Sequence, residues 1–254
     1  MVHFVGAGPG AVDLITVRGL KLLKQADVII YAGSLVNPEL LNEAKKEARI
    51  HNSAYMTLEE VMDVIRSAHK EGLEIVRLHT GEPSIYGAVR EQMDLLDSEG
   101  IAYDSTPGVS ACFGAAASLN LEYTLPGISQ TLIITRAAGR TGVPEKESLR
   151  ELAKHRASMA IYLSAGLLDT VAEELTAGGY TQDTPAALVY KATWKEEKRV
   201  LCTIGTLREA ADSEGISKTA VVLVGDAIRH AAFERSKLYD PAFTTGFRKA
   251  SKEG

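Results

Sequence analysis

Residues 79–87 read His79-Thr80-Gly81-Glu82-Pro83-Ser84-Ile85-Tyr86-Gly87 and directly follow an apolar run, Ile75–Leu78, that predicts a buried strand. Two further turns rich in glycine and proline follow other predicted strands, at Val5–Gly10 and Thr106–Ala111. In an open α/β sheet, ligands bind at the edge formed by the carboxyl ends of the strands. Glycine lets the backbone approach a ligand closely, and proline stiffens a loop. The three turns therefore predict a ligand site at one sheet edge, and a stiff loop containing Tyr86 favours a flat ligand over a bare phosphate.

The first half of the chain alternates between strand and helix patterns. Runs of β-branched and aromatic residues predict strands at His3–Gly6, Val28–Tyr31, Ile75–Leu78 and Ala102–Ser105. Helical patterns predict α-helices at Thr16–Gln25, Glu39–Lys46, Leu58–His69 and Val89–Ser98, with a further helix at Val109–Leu119. Thr57, placed before Glu60, predicts a capping box. Strands that alternate with helices predict a parallel sheet covered on both faces.

A predicted turn at Leu125-Pro126-Gly127 separates the first set of strand and helix patterns from a second set. The patterns of the second set predict strands at Thr131–Thr135, Met159–Leu163, Ala186–Lys191, Arg199–Thr203 and Ala220–Val224, and helices at Lys146–His155, Leu168–Ala177 and Leu207–Ser213. The third and fourth of these strands have no helix between them, which predicts a hairpin and hence a mixed sheet. We therefore expect an α/β protein with two α/β domains, residues 1–120 with a parallel sheet and 121–241 with a mixed sheet. A polar tail, 242–254, is expected to be mobile.

Composition and charge favour a cytoplasmic enzyme over several other classes. The 254 residues are 45% hydrophobic and 24% charged, and the net charge of −5 argues against nucleic acid as a partner. The cysteines, Cys112 and Cys202, lie far apart without neighbours at metal-ligand spacing, so we expect buried thiols, no metal site and a reducing compartment. No signal peptide opens the sequence, and no apolar run of about 18 residues predicts a membrane span.

The first turn also satisfies a rival pattern. Gly6-Ala7-Gly8-Pro9-Gly10-Ala11 matches Gly-x-Gly-x-x-Gly/Ala after a strand, the fingerprint of a dinucleotide-binding loop. Pro9, however, removes one of the amides that would bind pyrophosphate, and the second strand ends at Tyr31 without a ribose-binding carboxylate. An NAD-dependent enzyme and a purely structural tight turn at residues 6–10 stay as alternatives for this loop.

Four stretches together resemble one known family. Motifs of the tetrapyrrole methylases are similar, in the same order, to four stretches of this chain: Val5–Gly10, Leu14–Thr16, Gly81–Gly87 and Pro107–Ala111. The likeness extends from Phe4 to near Ala227. These enzymes use S-adenosylmethionine, which becomes S-adenosylhomocysteine, in cobalamin and sirohaem synthesis. The resemblance implies two α/β domains with a cleft between them, a homodimer, and a polycarboxylate tetrapyrrole as the substrate.

Two stretches in the second half of the chain resemble one branch of this family, the branch that methylates C-11 of a corrin precursor. The first stretch is Leu132–Thr141 with Val143–Glu145, and the second is Val189–Trp194. This implies S-adenosylmethionine-dependent C-methylation of precorrin-4 or cobalt-precorrin-4, with the presence of cobalt left open. The alternatives are a methylase acting at another carbon or on uroporphyrinogen, one that modifies ribosomal RNA or a translation factor, and a non-catalytic carrier of tetrapyrrole or cofactor.

The resemblance also implies which residues form the site. It assigns the cofactor to residues in the turns and at strand ends: Pro9, Gly81, Glu82, Pro83, Ile85, Tyr86, Ser110, Ala111, Leu163, Ala192, Thr219 and Ala220. The turn Gly8–Gly10 would face the tetrapyrrole. Three cations at or after strand ends are candidates for binding its carboxylates, for which guanidinium groups are well suited: Arg136, Arg140 and Lys191.

In methyl transfer from a sulfonium to carbon, the main tasks of the protein are to position the two substrates and to exclude water. A sulfonium favours carbonyl oxygens and aromatic faces, which makes the carbonyls around Gly81 and the ring of Tyr86 candidates. No catalytic residue is assigned. His79 is interpreted as a structural hydrogen-bonding residue, and Glu82 as a group able to accept or relay a proton. Two positions depart from the family pattern, since Ala11-Val12 stand where Asp-Pro is usual and Glu82 replaces the commoner Asp.

Overall fold

The computed structural model of the chain describes residues 1–229, 233, 234 and 236–251. Contacts within the chain define two compact units. Unit 1 comprises Met1–Ser118 together with Lys191–Glu197, and unit 2 comprises Leu119–Tyr190 together with Lys198–Gly254. Each unit is built on its own five-stranded sheet.

The sheet of unit 1 is entirely parallel, as predicted. Its strands are β1 (Val2–Gly6), β2 (Val28–Tyr31), β3 (Arg49–Asn52), β4 (Ile75–His79) and β5 (Tyr103–Thr106). They lie in the order β3-β2-β4-β1-β5, so β1 is flanked by β4 and β5. β3 was not predicted, because this edge strand is polar and carries no apolar run. The carboxyl ends of β4, β1 and β5 lie side by side.

Four α-helices accompany this sheet: α1 (Val17–Gln25), α2 (Leu58–Lys70), α3 (Arg90–Glu99) and α4 (Ala111–Leu119). The capping box of α2 is confirmed, since the side chain of Thr57 accepts from Glu60 N and the Glu60 carboxylate accepts from Thr57 N. The predicted α-helix at Glu39–Lys46 is wrong. Asn37 caps a 3-10 helix at Pro38–Glu43 instead, and the chain then runs on to β3.

Alternate residues along the strands of unit 1 enter two hydrophobic clusters. Phe4 and Ile30 pack with Met62 and Ile65 of α2, whereas Val5 and Ile29 belong to the cluster that contains Leu23 of α1. Side chains of successive strand residues point to opposite faces, so the sheet is buried on both. This burial holds the loops at the carboxyl edge on a rigid base.

The sheet of unit 2 is mixed, as predicted. Its strands are β6 (Leu132–Arg136), β7 (Ser158–Tyr162), β8 (Pro185–Tyr190), β9 (Lys198–Thr203) and β10 (Ala220–Val224), in the order β6-β7-β10-β8-β9. β6 and β7 are parallel, and the remaining pairs are antiparallel, including the predicted hairpin of β8 and β9. The helices are α5 (Leu149–Ala153), α6 (Leu168–Gly178) and α7 (Leu207–Ser213). α5 is shorter than predicted because Ser148 caps it after a 3-10 helix at Glu145–Glu147.

The end of the described chain folds on itself. Nη2 of Arg248 donates to the carbonyl oxygens of Leu238, Asp240 and Phe243, and Ser251 N donates to Pro241 O. Residues 252–254 of the predicted tail lie outside the described residues. The mobility of the tail stays a prediction.

One segment of the predicted second domain belongs elsewhere. Residues Lys191–Glu197 connect β8 to β9, yet they group with unit 1. The physical reason is a set of hydrogen bonds to the Gly8–Gly10 turn, described below, which local sequence patterns do not reveal. The boundary near residue 120 stays a prediction.

Candidate functional site

Three loops meet at the carboxyl edge of the unit 1 sheet. Ala7 N donates to His79 O over 2.7 Å, and Gly8 and Gly81 exchange two backbone hydrogen bonds, with N···O distances of 3.3 and 2.9 Å. The loop after β1 is therefore paired with the loop after β4. The prediction that these turns share one sheet edge is correct within unit 1.

Glu82 joins the loop after β4 to the loop after β5. Its Oε2 accepts from Gly108 N over 2.8 Å, and its Oε1 accepts from Ser84 N over 3.0 Å. Both carboxylate oxygens thus satisfy backbone amides, which holds the two loops together. This geometry assigns Glu82 a loop-tying role, and its interpretation as a proton relay stays a prediction.

Glycine is required where these loops touch. A β-carbon on Gly108 would lie 2.0 Å from the carbonyl oxygen of Gly81, and one on Gly6 would lie 2.6 Å from the α-carbon of Gly108. Real β-carbons do not approach other atoms this closely. Gly81 has φ of +60°, a left-handed conformation that costs other residues free energy. Gly6 and Gly108 therefore allow a backbone packing that no larger residue permits, and Gly81 allows the left-handed conformation beside them.

Backbone strain is concentrated in the predicted site. Among the described residues, eight non-glycine residues have positive φ: Tyr86, Ala88, Asn120, Arg156, Leu163, Lys191, Thr193 and Thr219. Four of them, Tyr86, Leu163, Lys191 and Thr219, are predicted to bind cofactor or substrate. Such conformations cost on the order of 1–3 kcal/mol each and tend to occur at ligand sites. The observation supports these four predictions.

The end of β4 carries two buried polar atoms that are unsatisfied. Within the described part of the chain, Nε2 of His79 and Oγ1 of Thr80 have no hydrogen-bond partner. Burial and the nearby Arg77 guanidinium lower the pKa of His79 to about 3, so the imidazole is neutral. Thr80 was not singled out from the sequence. Its signal is the buried, unbonded hydroxyl beside Gly81, which only the structure reveals.

Arg77 is buried below this edge without a carboxylate partner among the described residues. Its Nε donates to Gln92 Oε1 over 3.0 Å, and its Nη1 donates to Ile30 O over 3.1 Å. Burial lowers the pKa of the guanidinium to about 10. Gln92 in turn donates to the carbonyl oxygen of Ala88, one of the strained loop residues. The loop after β4 is therefore supported from the core as well.

The other predicted cofactor residues of unit 1 differ in exposure. Tyr86 is 47% exposed and Ile85 and Ala111 are half-buried, whereas Pro83 and Ser110 are buried. Ser110 precedes α4, and its carbonyl oxygen accepts from Phe113 N and Gly114 N. Of this set, Tyr86 thus exposes the largest side chain.

In unit 2, several predicted residues share one sheet edge. Leu163 and Ser164 follow β7, and Thr219 immediately precedes β10, which runs antiparallel to β7 and pairs Ala220 with Tyr190 of β8. Leu163 is 65% exposed, an unusual position for leucine with positive φ. The structure therefore brings Leu163, Thr219 and Ala220 to the same edge within this unit.

The two candidate arginines are used differently. The Arg136 guanidinium donates to the carbonyl oxygens of Ala137, Thr141 and Gly142, with the shortest distance 2.6 Å. Ala137 N also donates to the buried hydroxyl of Ser164, which ties the loop after β6 to the end of β7. Arg136 thus shapes its own loop. Arg140 lies exposed in that loop and, within the described residues, forms no ion pair or hydrogen bond through its side chain.

The segment Lys191–Glu197, hereafter the clasp, binds the Gly8–Gly10 turn. Nε1 of Trp194 donates to Pro9 O over 3.1 Å, and Ala11 N donates to Oγ1 of Thr193 over 3.0 Å. Ala192, predicted to bind cofactor, is buried in the clasp. The Nζ atom of Lys191 lies 5.2 Å from the centre of the Trp194 ring and 3.6 Å from the carboxylate of Glu196.

A cavity of about 620 Å³ lies beside the clasp in unit 1. Its walls include Val12, Ile15, Leu20 and Trp194, and its charged lining residues are Asp13, Glu39, Glu43 and Lys195. Acidic side chains outnumber the single lysine, and Lys195 is already paired with Glu39 over 2.6 Å. This lining does not complement a polycarboxylate.

Two further structural features bear on the chemistry. Across residues 1–229, 233, 234 and 236–251, no three His, Cys, Asp or Glu side chains come together as a group that could hold a metal ion. Over the same residues, no helix is both long and apolar enough to cross a membrane.

Comparison with known proteins identifies similar sequences and structures. Residues 1–208 match the family model of the tetrapyrrole (corrin/porphyrin) methylases. The chain is 52% identical, over 99% of its length and 97% of the relative, to cobalt-precorrin-4 C(11)-methyltransferase of Methanocaldococcus jannaschii. It is also similar to the X-ray structure of a cobalamin biosynthetic enzyme, cobalt precorrin-4 methyltransferase, with a TM-score of 0.88 and 47% identity, covering 89% of this chain and 95% of that one.

A third similar protein was crystallised with a ligand. It is the uroporphyrin-III C-methyltransferase of Thermus thermophilus, complexed with S-adenosylhomocysteine. The TM-score is 0.74 and the identity 26%, covering 92% of this chain and 95% of that one. The likeness to these proteins thus covers both units.

Proposed function

This chain belongs to the tetrapyrrole (corrin/porphyrin) methylase family, and we propose that it transfers a methyl group from S-adenosylmethionine to C-11 of cobalt-precorrin-4 in cobalamin biosynthesis. The observation that carries this proposal is the 52% identity, over nearly the full length of both chains, to an enzyme with that name. The loops joined at Gly81 and Gly108 supply a rigid site for it.

The residues of the loop after β4 fit such a methyl donor. The buried hydroxyl of Thr80 lacks a partner within the described chain, and a polar ligand beside Gly81 would satisfy it. We infer that Gly81, Glu82, Pro83, Ile85 and Tyr86 hold the donor together with Ser110 and Ala111. Pro9, Leu163, Ala192, Thr219 and Ala220 stay proposed contacts, supported for Leu163 and Thr219 by backbone strain.

The methyl donor supplies an activated sulfonium, so the protein has no electrophile to generate. What the chain contributes is positioning, which in favourable cases is worth roughly 7–11 kcal/mol of activation free energy. The Gly8–Gly81 pairing and the Glu82 hydrogen bonds supply the necessary rigidity at the sheet edge. No general base is assigned.

The carboxylates of the tetrapyrrole need cations, and we propose Arg140 and Lys191 as the groups that bind them. Arg140 is exposed at the end of a loop held in shape by Arg136. Arg136 was predicted to bind substrate directly, but its hydrogen bonds to backbone carbonyls favour an indirect role. The turn Gly8–Gly10 is proposed to face the ring system.

Replacement of Arg140 by Ala is expected to raise the KM for the tetrapyrrole about tenfold, the effect of losing one charge-assisted hydrogen bond. The KM for S-adenosylmethionine and the melting temperature should stay near the wild-type values, because the Arg140 side chain makes no intramolecular ion pair among the described residues. Arg136→Ala should raise the same KM but also lower the melting temperature, since three carbonyl contacts are lost. Steady-state kinetics and calorimetry measure both.

Arg18, exposed on α1, provides the control. Arg18→Ala removes the same charge and should change neither KM. Equal effects of Arg140→Ala on the two substrates would contradict the assignment of Arg140.

We further propose that the protein acts as a homodimer in the cytoplasm. The family resemblance supports the dimer. Neither Cys112 nor Cys202 forms a disulfide, which supports a reducing compartment. Size-exclusion chromatography with light scattering tests the first proposal and fractionation of the source cells tests the second.

The reaction is tested by incubating the protein with methyl-¹³C S-adenosylmethionine and cobalt-precorrin-4, with metal-free precorrin-4 in a parallel arm. Carbon NMR is expected to locate the new methyl group at C-11 of the cobalt compound. A methyl group at another carbon, or methylation of uroporphyrinogen, would replace the proposal with a related methylase. Binding without release of S-adenosylhomocysteine would indicate a carrier.

A further inference from the structure

Side chains of the clasp form hydrogen bonds with backbone groups of the Gly8–Gly10 turn and of Ala11, the next residue. Pro9 O accepts from the indole of Trp194, and Ala11 N donates to the hydroxyl of Thr193. From another part of unit 1, Nδ2 of Asn37 donates to Gly10 O over 2.9 Å. These polar groups would otherwise be left without partners in a buried turn, at a substantial free-energy cost.

The packing between clasp and turn leaves no room for side chains. A β-carbon on Gly10 would lie 2.1 Å from the Trp194 ring, so the indole rests directly against the backbone. A β-carbon on Gly114 of α4 would lie 2.9 Å from the Pro9 ring and 3.2 Å from Cγ2 of Thr193. The turn is thus held between α4 and the clasp, and a shift in either would move it.

The clasp itself is strained. Lys191 and Thr193 have φ of +46° and +70°, and Thr193 N donates to the Glu197 carboxylate over 2.6 Å. This backbone conformation places the Thr193 hydroxyl and the Trp194 indole where they contact Ala11 N and Pro9 O.

We propose that Trp194 and Thr193 are positioning residues that hold the Gly8–Gly10 turn in the shape needed by the tetrapyrrole. The inference rests on the proposed function, which assigns this turn to the substrate. Neither residue is proposed to contact the reacting atoms. They act through Pro9 O and Ala11 N, whereas most of the proposed contacts to the methyl donor lie in the loops after β4 and β5.

The test compares two conservative changes. Trp194→Phe keeps an aromatic side chain but removes the N–H donor together with the pyrrole edge that lies against Gly10, and Thr193→Val keeps the shape but removes the hydroxyl. Each should raise the KM for cobalt-precorrin-4 about fivefold to tenfold, the range for one buried hydrogen bond. The Kd for S-adenosylhomocysteine, measured by calorimetry, should change less than about twofold, since most of the proposed donor contacts lie in the loops after β4 and β5 and only Pro9 and Ala192 lie in the turn and the clasp.

Two variants serve as controls. Thr193→Ser retains a hydroxyl and should restore the wild-type KM. Lys195→Met breaks the exposed Lys195–Glu39 pair in the same clasp and should change neither constant, because exposed ion pairs contribute little. The inference is overturned if the wild-type enzyme is active and both Trp194→Phe and Thr193→Val keep its KM for cobalt-precorrin-4. It is also overturned if the variants lose affinity for S-adenosylhomocysteine by the same factor as their KM for cobalt-precorrin-4 rises.

A readout without turnover separates this inference from the proposed function. Hydrogen–deuterium exchange at Ala11 N should accelerate in Thr193→Val and stay at the wild-type rate in Thr193→Ser. Trp194 is the only tryptophan of the chain, so its emission wavelength reports whether the clasp stays docked. Unchanged exchange in Thr193→Val would overturn the positioning role, whereas an inactive wild-type enzyme would overturn only the proposed function.

Discussion

Gly108→Ala is expected to lower the affinity for S-adenosylhomocysteine by about tenfold or more, because the loops proposed to hold it would separate and lose hydrogen bonds worth about 0.5–1.5 kcal/mol each. The new β-carbon would lie 2.0 Å from the Gly81 carbonyl oxygen and 2.8 Å from the α-carbon of Gly6. All of these neighbours are backbone atoms, so the loops must move apart. Such overpacking should also lower the free energy of unfolding by about 1–3 kcal/mol.

Gly142→Ala is the matched control. A β-carbon on Gly142 would have no other atom within 4 Å, and the residue has no positive φ, so alanine fits there without strain. We expect unchanged affinity and a free energy of unfolding that is equal to the wild-type value or about 0.5 kcal/mol higher. Calorimetric titration and urea denaturation measure both quantities. Wild-type affinity in Gly108→Ala would show that the methyl donor does not depend on the junction of the three loops.

Acidification is expected to destabilise the protein through His79. Its pKa is about 3 in the folded chain because of burial and the nearby Arg77, against about 6.5 when unfolded. The neutral side chain contributes its full stability above pH 6.5. As the pH falls below that value, the unfolded chain binds a proton that the folded chain does not bind until about pH 3. The unfolding free energy should therefore decrease by about 2–3 kcal/mol between about pH 6 and pH 4.

His79→Phe isolates this contribution. It removes the titrating group and keeps an aromatic ring beside Phe4, whose ring centre lies 6.0 Å from that of His79. The other histidines and the carboxylates titrate equally in both proteins, so the difference between the two stability curves belongs to residue 79. We expect a shallower acid slope in the variant by urea denaturation at each pH. Parallel curves would show that His79 is readily protonated in the folded state.

Most strands, helices and turns could be predicted from the sequence, because their positions depend mainly on residues that are close together along the chain. The bounds of β2, α7 and β10 agree with the prediction at both ends, since β-branched runs and apolar periodicity reflect burial directly. Glycine and proline marked the turns after β1, β4 and β5 for a similar reason, as they restrict or release φ locally. The resemblance to a known family then added the chemistry.

Tertiary structure alone decided the contacts that join distant residues. β3 forms because it pairs with β2, although its sequence is polar. The clasp binds the Gly8–Gly10 turn from a distant part of the chain, and no local pattern in Val189–Trp194 indicates that its indole would meet Pro9. The hydrogen bonds of Arg136 to backbone carbonyls of its own loop also depend on the fold, and its direct contact with substrate stays a prediction. Where the chain turns and which faces are buried could be predicted from local patterns, because both follow from local sterics and hydrophobicity. Which side chain satisfies which backbone atom depends on packing over the whole unit.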